Sequence, residues 1–279
     1  IAIISQTSAA IFVDGRYTIQ VQQEVPNDLY HIKHLSMQQV RQWVSENIYD
    51  TQIIGFDPWL MSHSQVRQYR EAFELFGVKF LPVTKNPIDT AWVDRPSAPT
   101  ANIVSHPIKF CGKSSKVKRN EIVKVLKNSG QHAVVLSAPD SIAWLLNVRG
   151  SDLKYTPTPL SFGILYDDGE MDWFVNPDKI STILKSDLDT NVHQRDPKEF
   201  TAVINQLGSQ NAKVRISEVS DPEWVVSRLE SSGAQISFGE DPCLLAKSIK
   251  NSTELKGIRQ AHLRDGKALT KFLFWLNKT

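Results

Sequence analysis

Near the start of the chain, Phe12-Val13-Asp14-Gly15-Arg16-Tyr17 runs a strand into a turn that presents an arginine. A guanidinium there can make a two-pronged bond to a carboxylate or grip peptide carbonyls. The same spacing allows an internal ion pair with Asp14, and the residues alone leave both roles open. A second polar group stands in Asp140-Ser141-Ile142-Ala143-Trp144-Leu145-Leu146-Asn147-Val148-Arg149-Gly150-Ser151-Asp152. Asp140 is expected to cap a short helix with Ile142, Leu145 and Leu146 inward, and Gly150 to end it in a tight turn. That turn would gather Asn147, Arg149 and Asp152. A third string, Ala246-Lys247-Ser248-Ile249-Lys250-Asn251, leads into the final helix.

Other chemistry finds little support. His31 and His34 form H-x-x-H, but three-residue spacing on a strand sends the rings to opposite faces, so both read as surface histidines. No H-E-x-x-H, P-loop or G-x-S-x-G is present, and no G-x-G-x-x-G follows a strand. The carboxylates fall into no spacing that marks a catalytic pair. Net charge is +2, from 32 basic and 30 acidic residues, which gives no long-range field for nucleic acid or an anionic membrane. The densest basic stretch, Lys113 to Lys118 with Arg119 and Lys124, opens a helix and reads as its solvated face. Cys111 and Cys243 are too few and too far apart for a disulfide framework or a zinc knuckle, which suits a reducing compartment. No apolar run reaches the ~18 residues of a membrane span. The start, Ile-Ala-Ile-Ile-Ser, has neither an initiator Met nor a signal layout, and reads as an excerpt already inside a strand.

The elements that must position these residues alternate between strand and helix, the pattern of an α/β sheet with helices packed on it. Strands are expected at 9–13, 30–35, 53–56 (short and buried) and 78–83. An amphipathic helix carries Val40, Trp43, Val44 and Ile48 on one face, and another spans 64–76 and stops at Gly77. The same order returns about 160 residues later. Trp173-Phe174-Val175 stands for Ile11-Phe12-Val13, and Val214 to Ser217 for Ile53 to Phe56. The helix ending at Gly233 stands for the one ending at Gly77, and a strand at 235–238 follows. Between the copies, Trp92 to Thr100 holds two prolines among small polar residues and reads as a linker. The second copy opens with a helix at 115–128 and a strand at 133–136. Last, Asn251-Ser252-Thr253-Glu254 has a capping-box layout. Leu255, Ile258, Ala261, His262, Leu269, Phe272, Leu273 and Leu276 then recur at helical spacing, an apolar stripe that needs a surface to cover it.

Taken in order, these strings resemble the Xaa-Pro aminopeptidases (aminopeptidase P) of the three-domain kind. The matching words are FVDGRY at 12–17, W-x-D-R-P at 92–96, DSIAWLLNVRGSD at 140–152 and AKSIKN at 246–251. E-x-x-G-x-R-x-A-H-x-R-D-x-x-A-L-x-x-F-x-x-W-L at 254–276 completes the set. The resemblance implies an α/β fold of two tandem creatinase N-terminal-like domains, each a mixed sheet flanked by helices. Domain I with its linker would occupy 1–100, lacking the family's earlier strands, and domain II 101–245. Residues 246–279 would be the first long helix of a truncated pita-bread catalytic domain.

The parent would release the N-terminal residue from peptides with proline in the second position. It would use two divalent metals, manganese in this reading, whose ligands all lie beyond Thr279. No catalytic residue and no metal ligand is therefore assigned here, and the chain alone is expected to be inactive. One family role carries over: Arg16 reaches the bound peptide, with Asp14, Gly15 and Tyr17 as its scaffold. The second copy has Asp178-Lys179 in the corresponding region and is expected to have lost that contact. Asn147, Arg149 and Asp152 are assigned to domain–domain packing rather than catalysis. The resemblance further implies peptides with penultimate proline as partners, no nucleic acid or membrane, a homodimeric parent and a cytoplasmic location. An alternative of another class is a non-catalytic peptidase-like module that binds peptides or histones. Creatinase or prolidase relatives, with one N-terminal domain, fit the repeat less well.

Overall fold

The computed structural model describes residues 1–49 and 52–278. It divides into two compact units, Ile1–Arg95 and Pro96–Thr279. In the first unit the elements are β1 (Ala2–Ile4), β2 (Ala9–Val13), α1 (Thr18–Glu24), β3 (His31–His34), α2 (Met37–Asn47), β4 (Ile53–Phe56), α3 (His63–Glu74), β5 (Lys79–Pro82) and α4 (Pro87–Ala91). A 3-10 turn, Gly15–Tyr17, joins β2 to α1.

Side-chain caps set the helix starts. Ser36 accepts from the Gln39 N–H, and Ser62 forms a reciprocal box with Gln65. Gly77, at φ 68°, takes the left-handed conformation that closes α3 before β5. β1 runs antiparallel to β2, and β2 parallel to β3, with Val13 beside His34. β4 and β5 form a separate parallel pair. Ile3, Ala10 and Phe12 of the sheet pack with Val40, Trp43 and Val44 of α2 and with Val66 and Phe73 of α3. Each large side chain buried this way contributes ~1.5–3 kcal/mol. The expected buried strand at 53–56 differs in one respect: Phe56 is buried, whereas Ile53 is 61% exposed.

The second unit holds β6 (Val104–Ser105), α5 (Ile108–Cys111), α6 (Ser115–Asn128), β7 (Ala133–Leu136), α7 (Pro139–Leu146), β8 (Val148–Arg149), β9 (Phe162–Tyr166) and β10 (Met171–Phe174). There follow α8 (Thr182–Asp187), β11 (Val192–Arg195), α9 (Phe200–Ser209), β12 (Lys213–Ile216), α10 (Glu223–Ser232), β13 (Gln235–Phe238), α11 (Cys243–Ser248) and α12 (Ser252–Leu276). Six strands form one mixed sheet in the order β11-β10-β9-β7-β12-β13. β6 and β8 make a small antiparallel ribbon.

Alternation along β7 serves both faces of the large sheet. Val134 and Leu136 meet Ile122, Leu126, Ile142 and Leu145 of α6 and α7, while Ala133 and Val135 meet Ile204, Leu207, Val225 and Leu229 of α9 and α10. A strand covered on both sides reads as an unbroken apolar run, and Ala-Val-Val-Leu is one.

Three local readings are revised. Ala138, not Asp140, occupies the N-cap of α7, with Pro139 in the first helical position and Asp140 in the first turn, paired with Lys247. The helix closes on Asn147, left-handed at φ 55° and ψ 50°, rather than at Gly150; an Asn amide tolerates that conformation. The basic stretch is not uniformly solvated, since Lys118 and Arg119 are buried on the inner side of α6.

The order of pairing recurs between the units. An antiparallel strand, then two parallel ones, occurs as β1-β2-β3 and as β9-β10-β11. β4∥β5 is matched by β12∥β13. Gly233, left-handed at φ 101°, ends α10 as Gly77 ends α3. Counting from these glycines, Ile53 opposite Lys79 corresponds to Lys213 opposite Gln235. The correspondence is therefore one residue away from the pairing of Ile53 with Val214 expected from sequence, an offset that would have exchanged the two faces of the strand.

Candidate functional site

The strongest candidate is the turn after β2. Val13 is held by the Leu35 N–H, 2.8 Å from its carbonyl, which fixes the end of the strand against β3. Asp14 then caps the 3-10 turn, its Oδ1 accepting from the Arg16 N–H at 2.9 Å. The guanidinium folds back on the same carboxylate. Nε donates to Oδ1 at 3.0 Å and Nη2 to Oδ2 at 2.7 Å, the two-pronged geometry that a planar fork makes.

The Arg16 side chain is nevertheless 82% exposed, with its guanidinium carbon 5.8 Å from the Tyr17 ring centre. Hydrogen bonds from the Arg16 side chain and backbone draw the Asp14 carboxyl down to about 2, and the carboxylate in turn raises the guanidinium. The pair is therefore fully ionised across the working pH range. Two of the five guanidinium N–H groups are spent on Asp14, which leaves three outward donors for a carbonyl or carboxylate.

The turn thus combines the two roles the sequence left open: Asp14 is an internal partner, and the arginine it braces still faces solvent. Tyr17 is 47% exposed and its N–H reaches the Asp14 carbonyl at 3.1 Å. Gly15 is not required by backbone conformation, and a β-carbon there would meet nothing within 4 Å.

The other sequence-selected polar groups lie inside the second unit. Asn147 accepts from Lys118 Nζ at 2.7 Å and donates to the Lys113 carbonyl at 2.8 Å. Lys118 Nζ also donates to the Trp144 carbonyl at 2.8 Å and sits 4.4 Å from that ring's centre, so the lysine closes the end of α7; burial lowers its pKa. Asp152, with no side-chain exposure, accepts from Lys179 Nζ at 2.7 Å and from the Leu160 N–H at 2.7 Å. Arg149 is half-buried, donates to the Val148 carbonyl at 2.8 Å, and is lowered by burial. These groups tie the second unit together.

Asp178 does stand where Arg16 stands. Asn176 caps its turn through the Asp178 N–H at 3.0 Å, as Asp14 does through Arg16. Among residues that sequence reasoning missed, Asp221 is buried, accepts from the Ser217 N–H at 2.7 Å and pairs with Ser137; burial pushes it up to about 6. Arg119 pairs with Asp189 at 2.8 Å beneath α6. Only the apolar neighbours Ile122 and Val123 three and four positions on hinted that these cations point inward.

His31 is not a ligand but the acceptor for the Trp43 indole N–H at 2.9 Å. Among the described residues no three His, Cys, Asp or Glu side chains are grouped to hold a metal. The donors present therefore do not fit the paired metals that the resemblance implies, and no step through a metal is assigned to them. No described helix is long and apolar enough to cross a membrane.

Fold and site together define a chain of two tandem α/β units, each a parallel-and-antiparallel arrangement with helices on the sheet, with an arginine turn projecting from the first. Models of the creatinase/prolidase N-terminal domain match residues 1–91 and 94–254. The chain belongs to that family. A probable Xaa-Pro aminopeptidase P of Paracoccidioides brasiliensis (strain Pb03) is 32% identical over 99% of this chain and 47% of its own length. Aminopeptidase P1 of Lotus japonicus is 28% identical over 100% of this chain and 48% of its own. The chain thus spans about half the length of the curated relatives it matches. A crystal structure of a cytosolic X-prolyl aminopeptidase with a di-nuclear active site, from Caenorhabditis elegans, shares the fold. Its TM-score is 0.88 at 24% identity, covering 99% of this chain and 46% of that one.

Proposed function

We propose that these residues are the front half of a metal-dependent aminopeptidase that releases the N-terminal residue from peptides with proline in the second position. The observation that carries the reading is the end-to-end match to relatives named as Xaa-Pro aminopeptidases, over 99% of the chain at 32% identity. In this reading the two units arose by domain duplication and serve substrate access and interdomain structure. The two metals, manganese, and their ligands belong to polypeptide outside these residues, where α12 would open the catalytic domain. The location is cytoplasmic, the whole protein a homodimer, and neither nucleic acid nor membrane is a partner.

Arg16 is the residue we assign to the peptide. Its three outward donors suit a carbonyl or carboxylate, and Asp14 keeps the fork pre-set so that little rotamer freedom is lost on binding. Asp178 at the matching turn carries the opposite charge and serves no such contact. In an enzyme of the relatives' full length, Arg16→Ala should raise KM for Xaa-Pro-Pro peptides about tenfold, the factor one charge-assisted hydrogen bond supplies, with kcat nearly unchanged. Unchanged KM would remove Arg16 from the substrate site. The 279-residue chain given manganese should show no turnover. Metal-dependent hydrolysis by it would overturn the division of labour, and a full-length protein inert with manganese would favour a binding module.

A further inference from the structure

The two units treat the same edge of their repeated sheet differently. Lys33 of β3 lies opposite Phe12 and His31 opposite Ala10, just as Arg195 of β11 lies opposite Phe174 and His193 opposite Asp172. Phe12 packs with α2 and α3, and Phe174 with α9 and α10. Directly opposed residues share a face, so each unit sets two basic side chains on the helix side of an edge strand. The second unit matches its pair with its own carboxylates. Arg195 Nε donates to Asp172 at 2.6 Å and Nη1 lies 3.4 Å from Glu199, while His193 Nε2 stands 2.5 Å from Glu170. In the first unit the counterparts are neutral: Ala10 stands for Asp172, and Ser8, two residues earlier, for Glu170. The hairpins fix the same alignment, with Ile4 opposite Ala9 as Leu165 is opposite Met171. Among the described residues no carboxylate pairs with Lys33.

The unmatched pair borders an open cleft of about 580 Å³ between β3 and the C-terminal half of α2, whose walls include Tyr30, His31, Lys33, Trp43 and Glu46. That volume is in the range of small-molecule sites. Trp43 holds the imidazole in place, its buried indole N–H donating to His31 Nδ1 at 2.9 Å. Nδ1 is thereby an acceptor, so the ring carries its hydrogen on Nε2 and offers a donor there. Lys33 Nζ adds three donors and the Tyr30 hydroxyl another. The acidic group of the lining is Glu46, whose Oε1 accepts from Gln42 at 2.9 Å and whose Oε2 has no partner among the described residues.

We propose that this cleft binds a free α-amino acid as its zwitterion, with the carboxylate on Lys33 Nζ and His31 Nε2–H and the ammonium on Glu46. The ligand's carboxylate does for Lys33 and His31 what Asp172 and Glu170 do for Arg195 and His193. One acid beside a donor-rich basic pair is the complement of one ammonium joined to one carboxylate, and charge-assisted bonds at both ends fix its orientation.

The test titrates the nitrogen-15-labelled chain with L-alanine and follows the Trp43 indole N–H cross-peak, which reports on the ring it bonds. A saturable shift is expected. N-acetylalanine, which lacks the ammonium, and alaninamide, which lacks the carboxylate, should each bind at least about tenfold more weakly. Lys33→Met should weaken alanine by a similar factor and Lys33→Arg should retain it. Ser8→Glu, which supplies His31 with the carboxylate that Glu170 gives His193, should compete with the ligand and weaken it too. Glu46→Gln should weaken alanine yet leave N-acetylalanine unchanged, a split that a structural role for Glu46 would not produce. The comparison among ligands uses the unaltered chain, so it decides the matter even where a variant fails to fold. Four results would each overturn the proposal: no saturable shift, which would leave Lys33 as a charge that merely blocks an edge strand; equal binding of all three ligands; trialanine binding more tightly than alanine; or affinity unaltered in folded Lys33→Met. None of these readouts depends on peptidase activity, so this proposal can fail while the aminopeptidase reading stands, and the reverse.

Discussion

Replacing Lys179 by Met should unfold the second unit's turn far more readily than any surface charge change. The Lys179 and Asp152 side chains are 5% and 0% exposed, and their contact is 2.7 Å. Asp152 has one other donor, the Leu160 N–H, and its Oδ1 has no partner at all. With the ammonium gone, a buried carboxylate keeps a single hydrogen bond. An uncompensated buried charge of this kind costs about 3–5 kcal/mol, against ~0–1 kcal/mol for an exposed pair. For a unit of this size that lowers the melting temperature by about 10 °C. Urea unfolding followed by tryptophan fluorescence reads the loss directly, and it should be insensitive to added salt because the pair is shielded from counterions. Adding Asp152→Asn to Lys179→Met removes the stranded charge and should recover most of the stability. A single-variant loss below ~1 kcal/mol, or no recovery in the double variant, would refute the argument that burial makes this pair obligatory.

Two further outcomes follow from named groups. Burial raises the Asp221 carboxyl to about 6, so the folded state holds this proton more tightly than the unfolded chain does. Its contribution to stability is therefore complete below about pH 4 and is lost as pH rises through about 6, by about 3 kcal/mol in all. Asp221→Asn keeps an acceptor for the Ser217 N–H and should abolish that component in urea titrations from pH 4 to 7.5; an unaltered slope would show that another group is responsible. Asn251 accepts from the Thr253 and Glu254 N–H groups, both at 3.0 Å, and donates to the Cys111 carbonyl at 2.8 Å. Because α12 has no buried residue, Asn251→Ala should lower its helicity at 222 nm and cost ~1 kcal/mol, whereas an unchanged signal would place the anchor elsewhere.

Periodicity made the strands and helices legible wherever one face is buried. Val40, Trp43 and Val44 mark α2, and the two glycines that end α3 and α10 mark the repeat. The Asn251 box was readable because all its donors and acceptors lie within four residues. What the sequence could not yield were choices made by residues far apart. Asp152 meets Lys179 across 27 positions and Arg119 meets Asp189 across a longer span, so neither lysine nor arginine announced its burial. Asn147 displaced Gly150 as the helix stop because its amide is held by Lys118 and Lys113, contacts that no local rule supplies. Arg16 was found from its motif, but whether it faced inward or outward depended on how Asp14 spent its two oxygens.

The two turns, 15–17 and 177–179, make the point that position alone does not decide exposure. Both follow the second strand of the repeated order, and both are capped by a side chain two residues ahead of the charged one. In the second unit the residue after Asp178 is drawn beneath the 151–160 segment by Asp152, while its backbone carbonyl receives the Ile103 N–H at 2.9 Å. The turn there is a fastening point for three stretches of chain. In the first unit the cap and the counter-ion are the same carboxylate, so the charge of Arg16 is satisfied within its own turn. A cation stabilised locally needs nothing beyond its turn to hold it, and that independence leaves its remaining donors available to whatever approaches from solvent.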